Sequence, residues 1–327
     1  MCLFVIPISM VTGTTTNGIM MKIAVFAMIG VSLTVLMGFT GQISLGHFGL
    51  VGVGAFAMAN LVNDDRLGLP YLVALPLTVV IGMVVSLLIG LPALRIRGLY
   101  LAIVTLAFNL AAEYYIFTSR LIGGSSAGIR IDPPKLGPID LDGQSNRAIF
   151  LFTAFWLVVT LVVVRNLSRT KTGRGFYALR ENEKAAATLG VSITGYKLLA
   201  FAVSGGIAAL AGGLFATYLS QAEPTAWRTE TSLFLVAMVM IGGLGSLLGS
   251  VLGAFVLFGL PDLLDFLNDW VVSIGTGVLL IIVIVRAPGG LAGLVLGIRD
   301  RLVHALEEMN AAQAPAPAAP PPAPTAD

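Results

Sequence analysis

The chain has 327 residues, of which 57% are hydrophobic and 11% charged, and a mean hydropathy of +0.93; a soluble domain carries about 25% charged residues, so water is not its main solvent. A net charge of +2 with no basic stripe interleaved with aromatics excludes a nucleic-acid partner. The single cysteine, Cys2, excludes an intrachain disulfide.

Residues 1–22 form an apolar N-terminal segment without the positive n-region of a secretory signal, and the polar stretch from Thr12 to Gly18 weakens it as a full span. Beyond it, no Asp, Glu, Lys or Arg occurs in residues 23–63, 67–94, 148–164 or 198–219. Each run is long enough to cross a hydrocarbon core of about 30 Å at about 1.5 Å per residue. The runs are continuous rather than alternating, which excludes spanning strands and leaves helices, whose backbone groups are satisfied internally. The predicted spans are 23–41, 45–63, 72–94, 98–118, 148–164, 198–219, an interrupted segment 233–260, and 271–285. The fold class expected is all-α: a polytopic transmembrane helical bundle with broken or re-entrant helices and a possible inverted repeat.

Several of these elements carry polar punctuation. Gln42, Ser44 and His47 sit among glycines in an otherwise apolar stretch. Arg95 and Arg97 mark a turn between spans. Asn109 and Glu113 lie in the outer half of span 98–118; intramembrane ionisable groups are functional candidates, so Glu113 either touches a substrate or a partner helix or simply reaches the outer interface. The loop 165–197 holds seven Lys and Arg against Glu181 and Glu183, which places it in the cytoplasm. Counting from that anchor, 119–147 and 220–232 fall outside. A single crossing by 233–260 would put Asp262, Asp265 and Asp269 inside and Arg286, Arg299 and Arg301 outside, against the charge rule. A break at Gly242-Gly243-Leu244-Gly245-Ser246, with return to the same face, removes the conflict. Gly46, Gly49 and Gly54-Ala55-Phe56 echo Gly245, Gly249 and Gly253-Ala254-Phe255, which fits either a repeat or small residues recurring at helix crossings.

The cytoplasmic loop is the most informative stretch. From Phe176 to Leu189 its residues favour one short helix, with Gly190 as its C-terminal stop and a second start at Ser192 or Thr194. The small Ala185, Ala186 and Ala187 permit close approach of a soluble partner while charges fix register. The tail from Ala311 is mostly Ala and Pro and builds no packed core. The chain therefore divides into the segment 1–22, a permease domain 23–298 with a cytoplasmic loop 165–197, and a cytoplasmic tail 299–327.

Lys184-Ala185-Ala186-Ala187-Thr188-Leu189-Gly190 resembles the Glu-Ala-Ala-x-x-x-Gly loop of ABC importer permeases, with Lys184 where that pattern has Glu. Together with Gly41-Gln42-Ile43-Ser44-Leu45-Gly46-His47 and Gly242 to Ser246, the order along residues 38–295 resembles the LivM-type branched-chain amino-acid permeases. The resemblance implies an ATP-driven importer subunit for branched-chain amino acids or related small amino acids and amides, in a bacterial-type inner membrane. It implies ATPase coupling through Gly173, Arg174, Arg180, Glu183, Lys184, Ala185, Ala186 and Gly190. It also implies a translocation path near Gln42, Ser44, His47, Gly242, Gly243 and Ser246, with Asn109 and Glu113 as further candidates. The implied partners are two ATPase subunits, a second homologous permease in a heterodimer, an external solute-binding protein docking near Gly123-Gly124-Ser125-Ser126, and membrane lipid.

The chain lacks a Gly-x-x-x-x-Gly-Lys-Ser/Thr loop, so ATP belongs on the partner subunits and this chain is expected to bind no cofactor and to be no enzyme. No His, Cys or carboxylate group has metal-ligand spacing. The competing reading, an ion-coupled secondary transporter, requires buried Asp, Glu or His relays that the spans do not offer. A membrane enzyme requires a convergent nucleophile, base and orienting group, also missing.

Overall fold

A computed structural model describes residues 14–94, 98–124, 128–131, 135–136, 139–140, 146–264, 269–286, 289–294 and 297. In chain order the helices are α1 (Thr14–Leu33), prolonged by a π-helical turn (Thr34–Phe39); α2 (His47–Val62); α3 (Tyr71–Ala93); and α4 (Leu99–Ala111), prolonged by a π-helical turn (Ala112–Ile116). Next come α5 (Asn146–Arg169), α6 (Lys171–Glu181), α7 (Glu183–Thr188) and α8 (Ile193–Leu219). The last group is α9 (Thr229–Gly242), α10 (Leu247–Ala254) with a π-helical turn (Phe255–Gly259), α11 (Leu260–Leu263) and α12 (Asp269–Arg286). Among the described residues, five helices are long and apolar enough to cross a membrane: Asn17–Phe39, Tyr71–Pro92, Leu99–Ile116, Arg147–Arg169 and Ile193–Leu219. The protein is a multi-pass, all-α membrane protein. Its extended structure consists of two-residue strands: β1 (Ile129–Arg130) pairs antiparallel with β4 (Gln221–Ala222), and β2 (Lys135–Leu136) with β3 (Ile139–Asp140).

Lipid offers no hydrophobic force between apolar helices, so close backbone approach has to hold the bundle. α8 does this at its centre with a run of Gly, Ala and Ser, packing on α2 and α3. A Cβ on Gly54 of α2 would strike the backbone of Ala209, and one on Gly212 of α8 would strike that of Val51. Aromatic rings fill the wider gaps: Phe26 stacks on Phe258 with ring centroids 3.7 Å apart, and Phe56 stacks on Phe117.

Three features differ from the sequence expectation or refine it. Of the segment 1–22 the described residues begin at Thr14, and they run unbroken within α1, with Met21 and Val25 fully buried. The predicted span 45–63 starts two residues later and inside the bundle. Gly41 adopts φ +70°, residues 41–46 run without helix, and His47 comes to lie beside Ser32, about two turns back along α1. α2 then has 16 residues, or about 24 Å, less than a full hydrocarbon core. The interrupted segment is a hairpin: Gly243 (φ +114°) and Gly245 (φ +88°) reverse the chain, and the backbones of α9 and α10 touch at Gly242 with Gly249 and at Met238 with Gly253.

The hairpin returns to the end from which α9 sets out. Asp262 pairs with Lys22 near the start of α1 at 2.9 Å, whereas Gly289, just past α12, lies 2.7 Å from the position a Gly243 Cβ would take. Acidic Asp262 and basic Arg286 are thereby at opposite ends. Asp265, Arg299, Arg301, Arg95, Arg97, Cys2, Ser125, Ser126 and the tail lie outside the described residues. Gly54 faces α8 and Gly253 faces α9, so the two Gly-Ala-Phe runs share a use, close helix crossing, with different neighbours.

In a Cys2→Ala background, the double variant Lys22→Cys, Asp262→Cys is expected to join within one chain when treated with a short bifunctional thiol reagent in native membranes. A single crossing would hold the two positions about 30 Å apart, on opposite faces. Protection of both thiols from the cross-link, with each labelling separately, would overturn the hairpin.

Candidate functional site

The first candidate region is where the chain climbs from α1 to α2. A π-helical turn widens the end of α1, and its last carbonyls are taken up irregularly: Gly41 N–H donates to Met37 O and Gln42 N–H to Leu36 O. Thr40 Oγ1 donates to Leu36 O at 2.6 Å and accepts from Gln42 Nε2 at 3.1 Å, while Gln42 Oε1 is buried with no hydrogen bond. Ser44 is buried. Leu45 N–H donates to Thr105 Oγ1, and Gly46 lies so close to α4 that a Cβ would strike the Thr105 carbonyl.

His47 opens α2 fully buried. Ser32 Oγ donates to Ser204 O at 2.6 Å and therefore accepts at 2.7 Å from His47 Nε2, which must carry the proton. Nδ1 is left as a buried acceptor with no hydrogen bond. Phe48 N–H, one of the free donors of the helix start, goes to Ser232 Oγ of α9. Asn109 is fully buried, and neither its Nδ2 nor its Oδ1 makes a hydrogen bond. Its Oδ1 faces Gly49 so closely that a Cβ there would collide with it. Gln42, Ser44, His47 and Asn109 thus belong to one polar region at the start of α2. Buried polar groups are ordinarily satisfied, so the unpaired Gln42 Oε1, His47 Nδ1 and Asn109 amide mark this region out.

Glu113 does not join it. The carboxylate accepts from Thr229 N–H at 2.8 Å and Thr229 Oγ1 at 2.6 Å, capping the start of α9 where the helix dipole favours an anion. The Gly242, Gly243 and Ser246 candidates form the hairpin tip. Ser246 caps α10 through Gly249 N–H, and Thr34 and Ser250 hydroxyls meet at 2.7 Å behind it. The two breaks touch: a Cβ on Gly38 would lie 2.7 Å from Gly245 Cα.

The expected single helix from Phe176 to Leu189 is two. Asn182 takes an extended conformation (φ −161°, ψ 107°), and its side chain accepts from Lys184 N–H and Ala185 N–H, ending α6 and starting α7. A good N-cap outcompetes helix continuation at this position. Gly173 and Gly175 let α6 fold back: a Cβ would strike the Leu167 and Ser168 carbonyls at the first and the Tyr196 ring at the second. Gly190 stops α7 as expected, at φ +80°, with Val191 N–H to Ala186 O and Gly190 N–H to Ala187 O closing a Schellman motif.

The docking face needs correction. Ala186 is 2% exposed and packs into its own chain, because it sits over the Schellman turn. Lys184, Ala185, Ala187, Thr188 and Gly190 are exposed, as is Arg174 on α6, and Leu189 is 82% exposed. Glu183 pairs with the buried Lys197 at the start of α8 at 2.6 Å, and Arg180 Nη1 donates to Gly38 O of α1 at 2.6 Å. Both charges therefore serve this chain's own packing. Burial raises the Tyr177 phenol above its ordinary value, against smaller lowering by Arg180 and Ser168, so an uncharged ring lies against Phe39. Sequence reasoning passed over Ser32, Ser204, Thr105, Ser232 and Leu189. Hydroxyls within charge-free runs were the available signal for Ser32 and Ser204, a hydroxyl within a predicted span for Thr105, and a large apolar residue beside a helix stop for Leu189; Ser232, in the loop 220–232, carried no such signal.

The chain matches the family described as "Branched-chain amino acid transport system / permease component" over residues 15–286. It is 31% identical over 287 residues to the high-affinity branched-chain amino acid transport system permease protein LivM of Salmonella typhimurium, covering 81% of this chain and 67% of that protein. The LivM protein of Escherichia coli matches with the same identity and coverage. A shorter match, 35% identical over 135 residues, is to the autoinducer 2 import system permease protein LsrC of Klebsiella pneumoniae, covering 36% of this chain and 38% of that one. No solved structure matches. With its broken helices, charge-poor bundle and capped loop element all inside the matched region, this multi-pass chain belongs to the branched-chain amino acid transport system permease family.

Proposed function

We propose that this chain is one membrane half of an ABC importer for branched-chain amino acids or chemically related small amino acids and amides. The observation that carries the reading is the doubly capped α6–α7 element, which presents the apolar Leu189 among exposed Ala185, Ala187 and Thr188. In this reading Leu189, with the small exposed side chains beside it, is the contact offered to a soluble partner. That partner is an ATPase subunit, one of two in the complex, and ATP is bound there. In this reading the chain sits in a bacterial-type inner membrane, and the excess of positive charge on the loop supports a cytoplasmic place for this face. The opposite end, with Gly123, Gly124 and the β1–β4 ribbon, faces the solute-binding protein, and a second homologous permease completes the path.

The path runs by the start of α2, through Gln42, Ser44, His47 and Asn109. Amide, hydroxyl and imidazole groups suit the passage of a small zwitterion without holding it by a fixed charge. Ion coupling is the weaker reading: among the described residues, the charged side chain in the buried class is Lys197, in the first turns of α8, and it is paired with Glu183 of α7. Alternating access would separate and rejoin the two glycine breaks around this path.

Leu189→Arg is expected to leave the amount of permease in the membrane unchanged and to abolish co-purification of the ATPase subunits, since loss of a hot-spot contact costs about 2 kcal/mol or more. Ala186→Arg, by contrast, forces a cation into a buried site and should lower the membrane level itself. Full ATPase retention and normal uptake in Leu189→Arg would remove the docking role.

Asn109→Leu removes a buried amide that has no hydrogen bond and should raise the melting temperature of the purified permease, the unsatisfied group costing about 1–3 kcal/mol. Uptake should nevertheless fall by about tenfold, the equivalent of about 1.4 kcal/mol. A more stable protein with unchanged uptake would exclude Asn109 from the path.

A further inference from the structure

We infer that Arg180 is the positioning residue that ties the coupling element to both helix breaks at once, so that a shift of α6 is delivered directly to the Gly38–Gly245 contact. This inference rests on the permease reading above and adds to it the residue through which the two ends communicate.

The starting point is a carbonyl that the backbone leaves over. At the end of α1 the π-helical turn directs Gly41 N–H to Met37 O and Gln42 N–H to Leu36 O, skipping Gly38 O. In an apolar protein interior such an acceptor needs another donor. Arg180 Nη1 supplies it at 2.6 Å from 142 residues away in sequence. The bond is charge-assisted, and the cation sits where the negative end of the α1 dipole emerges.

The same side chain reaches further. Its Nη1 lies 3.3 Å from the position a Cβ would take on Gly245, at the hairpin tip, and its Cγ lies 3.4 Å from the corresponding position on Gly41. Gly38 and Gly245 are themselves in backbone contact. One side chain therefore meets three places: its guanidinium reaches the end of α1 and the α9–α10 turn, and its aliphatic stem lies at the start of the climb toward α2. Tyr177, one turn earlier on α6, packs its ring on Phe39 with centroids 5.2 Å apart. Residues three apart share a helix face, so α6 grips the end of α1 by one polar and one aromatic contact.

On the other side of the Asn182 kink, Glu183 holds Lys197 of α8. The coupling element is thus fastened to α1 and to α8, while its Leu189 face stays open for the ATPase. A displacement at Leu189 has two rigid outlets. The Arg180 outlet leads to both breaks. Glycine at 38, 41 and 245 is what allows the guanidinium and the two backbones to meet, and Arg rather than Lys fits because a planar fork makes directional bonds and contacts together.

The test uses the full complex reconstituted in vesicles, with Arg180→Ala and Arg180→Lys. The ATPase subunits should co-purify with both variants as with the wild type, because the Arg180 guanidinium is engaged on Gly38 O of its own chain. Solute transported per ATP hydrolysed should fall by roughly tenfold in Arg180→Ala, the scale of one charge-assisted hydrogen bond, and by less in Arg180→Lys. A merely structural role would lower assembly and transport together and leave that ratio unchanged.

To guard against a folding defect, Phe39→Cys and Tyr177→Cys are combined with Arg180→Ala and Cys2→Ala and joined by a short, reductant-cleavable thiol cross-linker. Restoring the tie should recover the transport ratio, and reductant should remove the recovery. An unchanged ratio in Arg180→Ala, or no recovery on cross-linking, overturns the inference. If the wild-type complex itself shows no ATP-dependent uptake, the importer reading fails instead.

Discussion

Every irregular backbone group inside this bundle has to find a donor or acceptor without help from bulk water, and that requirement organises the structure. Helices meet it internally along their length. Where they break, a named side chain intervenes: Ser232 takes Phe48 N–H, Thr105 takes Leu45 N–H, Glu113 takes Thr229 N–H, Ser246 takes Gly249 N–H, and Arg180 covers Gly38 O. Each of these partners comes from a different part of the chain or fixes a cap, so the breaks are where distant helices are locked to one another. The features that make the bundle irregular also make it cohere.

Close packing by small residues works with the same economy. The α8 run of Gly, Ala and Ser brings α2 and α3 within backbone contact, and hydroxyls that would be costly if isolated are shared in the Ser32–His47–Ser204 and Thr34–Ser250 groups. What results is a polar interior assembled from uncharged groups. Gln42, His47 and Asn109 each keep an unpaired buried atom within it.

Some of this was legible residue by residue. The clash between acidic residues after 260 and basic residues after 285 required the chain to turn back at Gly242 to Ser246, and the hairpin has that form. Gly190 read as a helix stop and is one, because φ of +80° is cheap for glycine alone. Asn182 caps a second helix, which residues favouring helix on both sides of it did not disclose, so one helix was expected where there are two. Ala186 looked available for docking and is buried, since which face of a short helix packs inward depends on what lies beneath it. Glu113 read as an intramembrane candidate, and its charge is committed to the α9 start.

By itself the sequence determined the solvent, the rough position of the apolar runs, the charge excess of the loop 165–197, and the sites of the glycine breaks. These are properties of composition, local conformation and charge asymmetry, all written within a window of neighbouring residues. Tertiary structure alone decided that α2 begins inside the bundle beside Ser32, that Leu189 rather than Ala186 faces outward, and that Arg180 and Glu183 turn to Gly38 and Lys197. The physical reason is that a polar group must be paired wherever it is buried, but nothing in its own neighbourhood specifies the partner; that choice is made when helices far apart in sequence pack together.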